Sequence, residues 1–363
     1  MAWGRLYRRL FGQNTEPVTS EIPSMPSPRE ASNRELEAIV LANPTDPGGY
    51  LVYADWLQTQ GDPRGELIAA EYALTQTTDH QKLVALRQRV ADLKQQHSSR
   101  LFGNLAGDKR VELKWELGFI HQARISNLLV GRHGFELLEN LLALDSARFL
   151  QSLYLKFDND GSFTVAELDL LDSTQRFPTS LRELTVDAIS VGAGSVANWW
   201  STSLAVLDLT TSPQWELGNP ASAQMRHLKL RWILWQQVSD LFQADYPSLE
   251  RLELGVVNYE RPLDLADHLS NKRLPRLEHL AIYFYYPSPN LDYVVQCVAN
   301  SSLMAQLATL EVGPLSNDAA RRIMGLQDRF SHLQSLVLRG HFSYETSQLL
   351  SEMGPYVEVR NNS

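Results

Sequence analysis

From residue 150 onward one unit recurs, L-x-x-L-x-L, and no other feature narrows the possible folds as much. It reads LQSLYL at Leu150, LRELTV at Leu181, LAVLDL at Leu204, MRHLKL at Met225, LERLEL at Leu249, LEHLAI at Leu277, LATLEV at Leu307 and LQSLVL at Leu333. Successive starts are 31, 23, 21, 24, 28, 30 and 26 residues apart. The last two apolar residues of each unit are separated by one position, so on a strand they point to the same side and bury together. Between the units lie apolar patterns of helical period: His133 to Leu144, Thr164 to Leu171, Trp235 to Ala244, Leu263 to Leu269, Leu291 to Val298, Asp318 to Leu326 and Glu345 to Met353. A strand and a helix per unit predict a parallel sheet on the inside of an arc with helices outside.

A weaker copy, IHQARI at Ile120, follows Trp115 and Gly118-Phe119, and YVEVR at Tyr356 reads as a last strand, which makes about ten strands. The unit and its spacing resemble leucine-rich repeats, whose period is roughly 20–29 residues. That resemblance implies an α/β solenoid over residues 111–363. The pattern usually continues to an Asn three residues beyond the final Leu; here Asp158, Ile189, Ser212, Ile233, Val257, Tyr285, Leu315 and His341 stand there. An irregular solenoid without the asparagine ladder is expected. Its terminal units need polar or helical caps.

Residues 34–110 read as an all-α cap for the N-terminal end. Leu36, Ile39 and Val40 share a helical face; Asp46-Pro47 and Asp62-Pro63 are two copies of one helix-start signal, an N-cap carboxylate followed by proline at the first helical position. A longer helix from about Asp79 to Leu101 carries the stripe Leu83, Leu86, Val90 and Leu93. The string from Glu35 to Leu74, ELEAIVLANPTDPGGYLVYADWLQTQGDPRGELIAAEYAL, resembles the bacterial repeat-companion domain, with its Asn-Pro, its Leu-Val-Tyr-Ala-Asp-Trp-Leu run and its Gly-Asp-Pro-Arg. The resemblance implies repeats downstream and no catalytic activity. Tyr50 stands where the family often has Arg, so no role of that Arg carries over. From the residues alone, Tyr53, Asp55 and Trp56 are core and capping residues.

At the N-terminus, residues 1–12 place Trp3, Leu6, Tyr7, Leu10 and Phe11 on one helical face with Arg5, Arg8 and Arg9 between them. Residues 13–33, with Pro17, Pro23, Pro26 and Pro28 among Ser, Thr and Glu, read as a disordered linker. A helix this short is marginal alone in water. It either docks on a protein partner or a membrane surface, or packs on its own chain.

Composition narrows the function. Asp and Glu outnumber Lys and Arg 42 to 33, a formal charge of −9, which argues against a nucleic-acid partner. Cys297 is the single cysteine, so an intrachain disulfide is impossible and a reducing, cytoplasmic setting is expected. No run approaches the roughly 18 apolar residues of a membrane span, and the first residues lack a secretory apolar stretch.

The candidate partner-binding residues face outward between the leucines of the middle units: His227, Lys229, Arg231, Arg251, His279 and Tyr283, with Trp232 and Tyr285 in the following loops. Arg and aromatic residues on an exposed scaffold are what interface hot spots use. The alternative is a solvated face with Trp232 or Trp235 in the core. KFDNDGSFTVAEL imitates a calcium loop through Asp158, Asp160 and Glu167, but Lys156 stands at the first ligand position and the preceding unit is a strand where an EF-hand needs a helix. No cofactor is expected, and neither metal-ligand spacing nor a nucleophile-elbow motif is present. The reading is a protein-binding adaptor; the alternatives are a recognition or regulatory subunit that delivers a client to an enzyme, membrane or assembly, and, more remotely, a hydrolase or calcium sensor.

Overall fold

Every L-x-x-L-x-L copy becomes a strand, and all three apolar positions of every copy are buried, none more than 4% exposed. The computed structural model describes residues 32–128, 132–157, 177–187, 194–195, 203–210, 215–216, 223–258, 269–285 and 291–361. The chain divides into Met1–Ser32 and Asn33–Ser363. The docking helix at 1–12 and nearly all of the linker at 13–33 therefore lie outside the described residues, as do Asp158, Asp160 and Glu167.

Within Asn33–Ser363 an eleven-stranded sheet runs in nearly sequential order. Its strands are β1 (Val111–Glu116), β2 (Phe119–Leu128), β3 (Ser152–Phe157), β4 (Glu183–Asp187), β6 (Val206–Thr210), β8 (His227–Leu234), β9 (Arg251–Asn258), β10 (His279–Phe284), β11 (Thr309–Leu315), β12 (Ser335–Gly340) and β13 (Val357–Asn361). β5 (Gly194–Ser195) and β7 (Trp215–Glu216) form a separate two-stranded pair. From β2 onward all neighbours in the large sheet are parallel, so each connection must cross over; among the described residues helices do so after β2, β8, β10, β11 and β12. The sheet does not close into a barrel. Against its leucine face pack α6 (Arg132–Ala143), α7 (Trp235–Gln243), α8 (Leu291–Asn300), α9 (Asn317–Met324), α10 (Gln327–Phe330) and α11 (Tyr344–Glu352). Val238, Leu241 and Phe242 of α7 and Val294, Val295 and Val298 of α8 supply one side of the core and the strand leucines the other.

In place of an asparagine ladder, the residue just before the unit often donates to the backbone of the preceding one. The Ser180 hydroxyl donates to the Leu150 carbonyl at 2.8 Å and that of Ser203 to Leu181 at 2.9 Å. The Gln306 amide donates to Leu277 at 3.0 Å, and His332 Nε2 lies 2.7 Å from the Met304 carbonyl. These bonds satisfy carbonyls at the strand entrances that would otherwise be buried unpaired.

β1 raises the sheet to eleven strands and is its one antiparallel member, joined to β2 by a turn at Leu117 and Gly118, both with positive φ. Two successive left-handed residues suit a tight hairpin, but a Leu there carries none of the usual Asn-Gly signal. The tip is held from outside: Glu71 accepts from the Gly118 amide at 2.9 Å, and a Cβ on Gly118 would meet the Ile68 side chain at 2.5 Å.

That contact joins the sheet to a helical layer of α1 (Arg34–Ala42), α2 (Pro47–Thr59), α3 (Pro63–Gln76), α4 (His80–Gln96) and α5 (Ser98–Phe102). Asp46 and Asp62 are N-caps, each followed by proline at the start of its helix. The expected helix to Leu101 breaks at His97, whose ψ of 25° ends the regular turn. Gly65 lets α3 approach α2 so closely that a Cβ would lie 2.6 Å from the Ala54 carbonyl oxygen. Tyr53 is buried, stacked parallel on Phe119 of β2 with centroids 5.9 Å apart, and Trp56 also stacks on it at 5.8 Å. Asp55, in contrast, is exposed and caps nothing, and Ile39 is 51% exposed, because only Val40 of its stripe turns fully inward.

An ion network locks this junction. Arg64 folds back on Asp62 with a bidentate pair at 2.9 and 2.7 Å, Arg100 adds a contact at 2.7 Å, and Arg64 reaches Asp145 at 3.5 Å. Arg148 binds Asp145 and Glu37, and Glu37 also accepts from the Tyr53 hydroxyl at 3.0 Å. Burial pulls the Asp62 carboxyl upward, but the hydrogen bonds from Arg64 and the charge of Arg100 outweigh it and hold it below the usual carboxylate range. Burial pushes the Tyr53 phenol up to about 12.

Candidate functional site

On the face opposite the leucines the parallel registers stack side chains in rows. One row runs Val206, His227, Arg251, His279, Thr309; the next runs Asp208, Lys229, Glu253, Ala281, Glu311, Val337, Glu358; a third runs Thr210, Arg231, Gly255, Tyr283, Gly313. The two glycines shape the third row. A Cβ on Gly255 would stand 2.9 Å from the Tyr285 ring, and one on Gly313 would stand 2.5 Å from Arg339 Cβ. Glycine inside a strand marks such a close approach. The ring and the arginine stem lie down over the bare backbone, and the sheet face is notched into a cleft of about 470 Å³.

Lys229, Arg231, Arg251, Arg339 and Arg360 line the cleft, with Glu253, Glu311, Tyr283 and Tyr285. Glu253 holds Lys229 at 3.0 Å and Arg251 at 2.6 Å; burial would raise its carboxyl, but these two cations prevail and keep it low. Glu311 is buried beneath Arg339 and Arg360 and bonds the Tyr283 phenol. Burial and then that carboxylate push Tyr283 well above its ordinary value, so it stays neutral. Arg339 also lies over the Tyr283 ring, 5.3 Å from the centroid. Arg231 pairs with Asp208 at 2.7 Å, yet burial still leaves Asp208 raised.

The aromatic wall is made by a backbone irregularity. Trp232 has φ of +66°, and the pairing of β8 with β9 shifts between Arg231 and Ile233. A bulky residue in the left-handed region is a strained outlier, and bulges of this kind re-aim side chains. Here the half-buried Trp232 ring is brought onto Tyr285, 4.4 Å between centroids and 18° from parallel. Tyr285 is 39% exposed.

Of the sequence-predicted residues, Lys229, Arg231, Arg251, Tyr283 and Tyr285 line one cleft, and Trp232 backs Tyr285. The two histidines do not join them. They occupy the first row, nearer the strand entrances, where His227 is exposed 3.9 Å from Glu250. His279 is half-buried, and burial and then Arg251 push its imidazole below the ordinary range. Trp235 is core, beside Phe284. Outward alternation places Glu253, Glu311 and Arg339 on this face without selecting them into the candidate set, and Gly255 and Arg360 escape it. The strand glycines and the outward alternation of β12 and β13 were the available signals.

A second concavity of about 470 Å³ lies where α3 and α4 meet the hairpin, with Pro47, Leu74, Val90, Trp115 and Leu117 as apolar walls and Glu71 and Glu116 at the edge. Among the described residues no group of three or more His, Cys, Asp or Glu is arranged to hold a metal ion, and no helix is long and apolar enough to cross a membrane. The cleft side chains are suited to holding a ligand by ion pairs and ring contacts. Comparison with family models, with curated proteins and with solved structures finds no match to this chain.

Proposed function

We propose that this chain is a non-enzymatic protein-protein interaction adaptor. In this reading its sheet and helices are an irregular leucine-rich-repeat solenoid, residues 34–110 are a repeat-companion cap, and residues 1–12 make a second contact with another partner or a membrane surface. The observation that carries the reading is the grouping of Arg231, Arg251, Arg339, Trp232, Tyr283 and Tyr285, partly exposed, on one rigid sheet face. Arginine, tyrosine and tryptophan are the residues in which interface energy concentrates, and a rigid scaffold spares them ordering entropy on binding. A client held there and a second contact elsewhere would also serve the delivery of that client to an assembly.

The test is site-specific photo-crosslinking in cells, with the crosslinker at Tyr285 and, in a parallel chain, at the exposed Gln348 of α11. A discrete protein adduct from Tyr285, absent from Gln348 and lost on Trp232→Ala, is expected. Equal adducts from both positions, or none from Tyr285, would overturn the reading.

A further inference from the structure

The second concavity, where α3 and α4 meet the hairpin of β1 and β2, is an apolar groove left open. Pro47, Tyr72, Leu74, Val90 and Trp115 line it, and each is only half-buried. Its volume of about 470 Å³ falls among clefts that receive a ligand's apolar groups, roughly 300–1,000 Å³. The charges around it are unevenly matched. Lys94 lies over the Trp115 ring, 4.9 Å from the centroid, and is held by Glu71 at 2.8 Å, so those two cancel. Glu116 is not cancelled. Its carboxylate is 67% exposed, and its neighbour at 3.5 Å is His121, whose imidazole burial holds below the ordinary range and so without charge near pH 7. The exposed Asp46, N-cap of α2, stands between the lining residues Thr45 and Pro47.

The chain carries a segment of the opposite character. Residues 1–12 hold Trp3, Leu6, Tyr7, Leu10 and Phe11 at helical spacing, with three arginines and no acidic residue, in a chain of net charge −9. Their tether is long enough. Twenty residues lie between Gly12 and Asn33, and a flexible chain of that length spans about 25 Å on average. From Asn33 the nine-residue α1 advances about 13 Å, and the four residues after it add at most about 14 Å before Pro47 at the groove.

We propose that residues 1–12 dock in this groove of their own chain, the Trp3–Phe11 face on its apolar walls and the arginines toward Glu116 and Asp46. An acidic segment would be repelled by both carboxylates, and a neutral one would leave them uncompensated. Tethering favours the chain's own segment over a separate one. At an effective concentration on the order of 1 mM, an intrinsic Kd of about 0.1 mM fills the groove about tenfold over. The inference goes beyond the adaptor reading, which gives the same segment an outside partner or a membrane surface. The groove competes with that second contact, and docking is the state of the chain when no such contact is made.

The experiment is photo-crosslinking on the purified full chain, with the crosslinker at Thr75, an exposed residue of the groove rim, and in a parallel chain at Gln348 of α11. Adducts are mapped by proteolysis and mass spectrometry. The Thr75 crosslinker should capture residues 1–12 within one chain, at a yield independent of protein concentration and about tenfold or more above that from Gln348. Leu6→Glu should cut the yield severalfold, and so should Glu116→Lys, while the melting temperature stays within a few degrees. If Glu116→Lys fails to fold, Leu6→Glu, which lies outside the sheet and its helical layer, carries the test. No adduct to residues 1–12, equal adducts from Thr75 and Gln348, or a yield indifferent to Leu6→Glu would overturn the inference. An adduct between two chains that grows with concentration would overturn it too, by making a second copy the occupant. The two claims separate, because the Tyr285 crosslink does not involve this groove: its loss removes the adaptor and keeps the docked segment, and failure at Thr75 does the reverse.

Discussion

The junction between α2, α3 and β2 and the cleft over β8 to β13 are built from the same chemistry, arginines on carboxylates beside stacked aromatic rings, and differ in their access to water. At the junction Arg64 is 3% exposed and its partner Asp62 2%, and the Tyr53, Phe119 and Phe149 rings are closed off. In the cleft the side chains of Lys229 and Arg251 are 39% and 48% exposed, and Tyr285 is at the surface. A buried pair has already given up its hydration and is worth most when intact, because losing one partner strands the other. A half-exposed pair contributes little to folding but keeps donors and rings for a ligand. Residue type therefore does not separate the structural residues from the proposed binding residues in this chain, and solvent access does.

The sharpest way to break the comparison is Arg64→Ala. It leaves Asp62 buried with only Arg100, and should lower unfolding free energy in urea by about 3–5 kcal/mol; a loss under about 1 kcal/mol would show the junction to be no more than a surface pair. Gly65→Ala places a methyl against the α2 backbone and should cost about 1–3 kcal/mol by overpacking. Stability should also depend on pH through the junction. His121 is buried, with the Tyr50 hydroxyl 3.2 Å away and Glu116 and Glu71 nearby, and burial lowers its pKa more than those carboxylates raise it. Asp62 is lowered as well. Groups depressed in the folded state bind fewer protons there than in the unfolded chain, so both contributions are complete above the unfolded pKa and vanish on acidification. The His121 contribution should start to fall below about pH 6.5, and that of Asp62 below about pH 3.9. Urea titrations of His121→Leu should show a shallower first decline, the remainder coming from His279, which burial also lowers; an unchanged profile would mean that the His121 imidazole is solvated in the fold. The smallest expected effect is Arg251→Ala in the cleft, within about 1 kcal/mol of the parent.

The sheet was legible because its signal is local and dense: two leucines one residue apart can bury together only on a strand, and each such pair does so. Asp46-Pro47 and Asp62-Pro63 were legible for a similar reason, since capping is a matter of neighbouring residues. What escaped depends on distance along the chain. The Leu117-Gly118 turn is held by Glu71 and Ile68 from a separate helix, and Ser180, Ser203 and Gln306 look like ordinary polar residues until the preceding unit lies beside them. The cleft was half legible. Its cations and rings stand at outward positions that alternation picks out, but their selection into one site comes from the bulge at Trp232 and the bare backbone at Gly255 and Gly313, which only the paired strands reveal. His227 and His279 share the outward alternation, but of their register row only Arg251 lines the cleft.

If the cleft serves binding and the junction folding, unfolding free energy and partner capture must part company in one variant, Tyr285→Ala. Stability should stay within about 1 kcal/mol of the parent, as for a partly exposed ring, while the co-purified partner is lost. A stable Tyr285→Ala chain that retains its partner undiminished would contradict it.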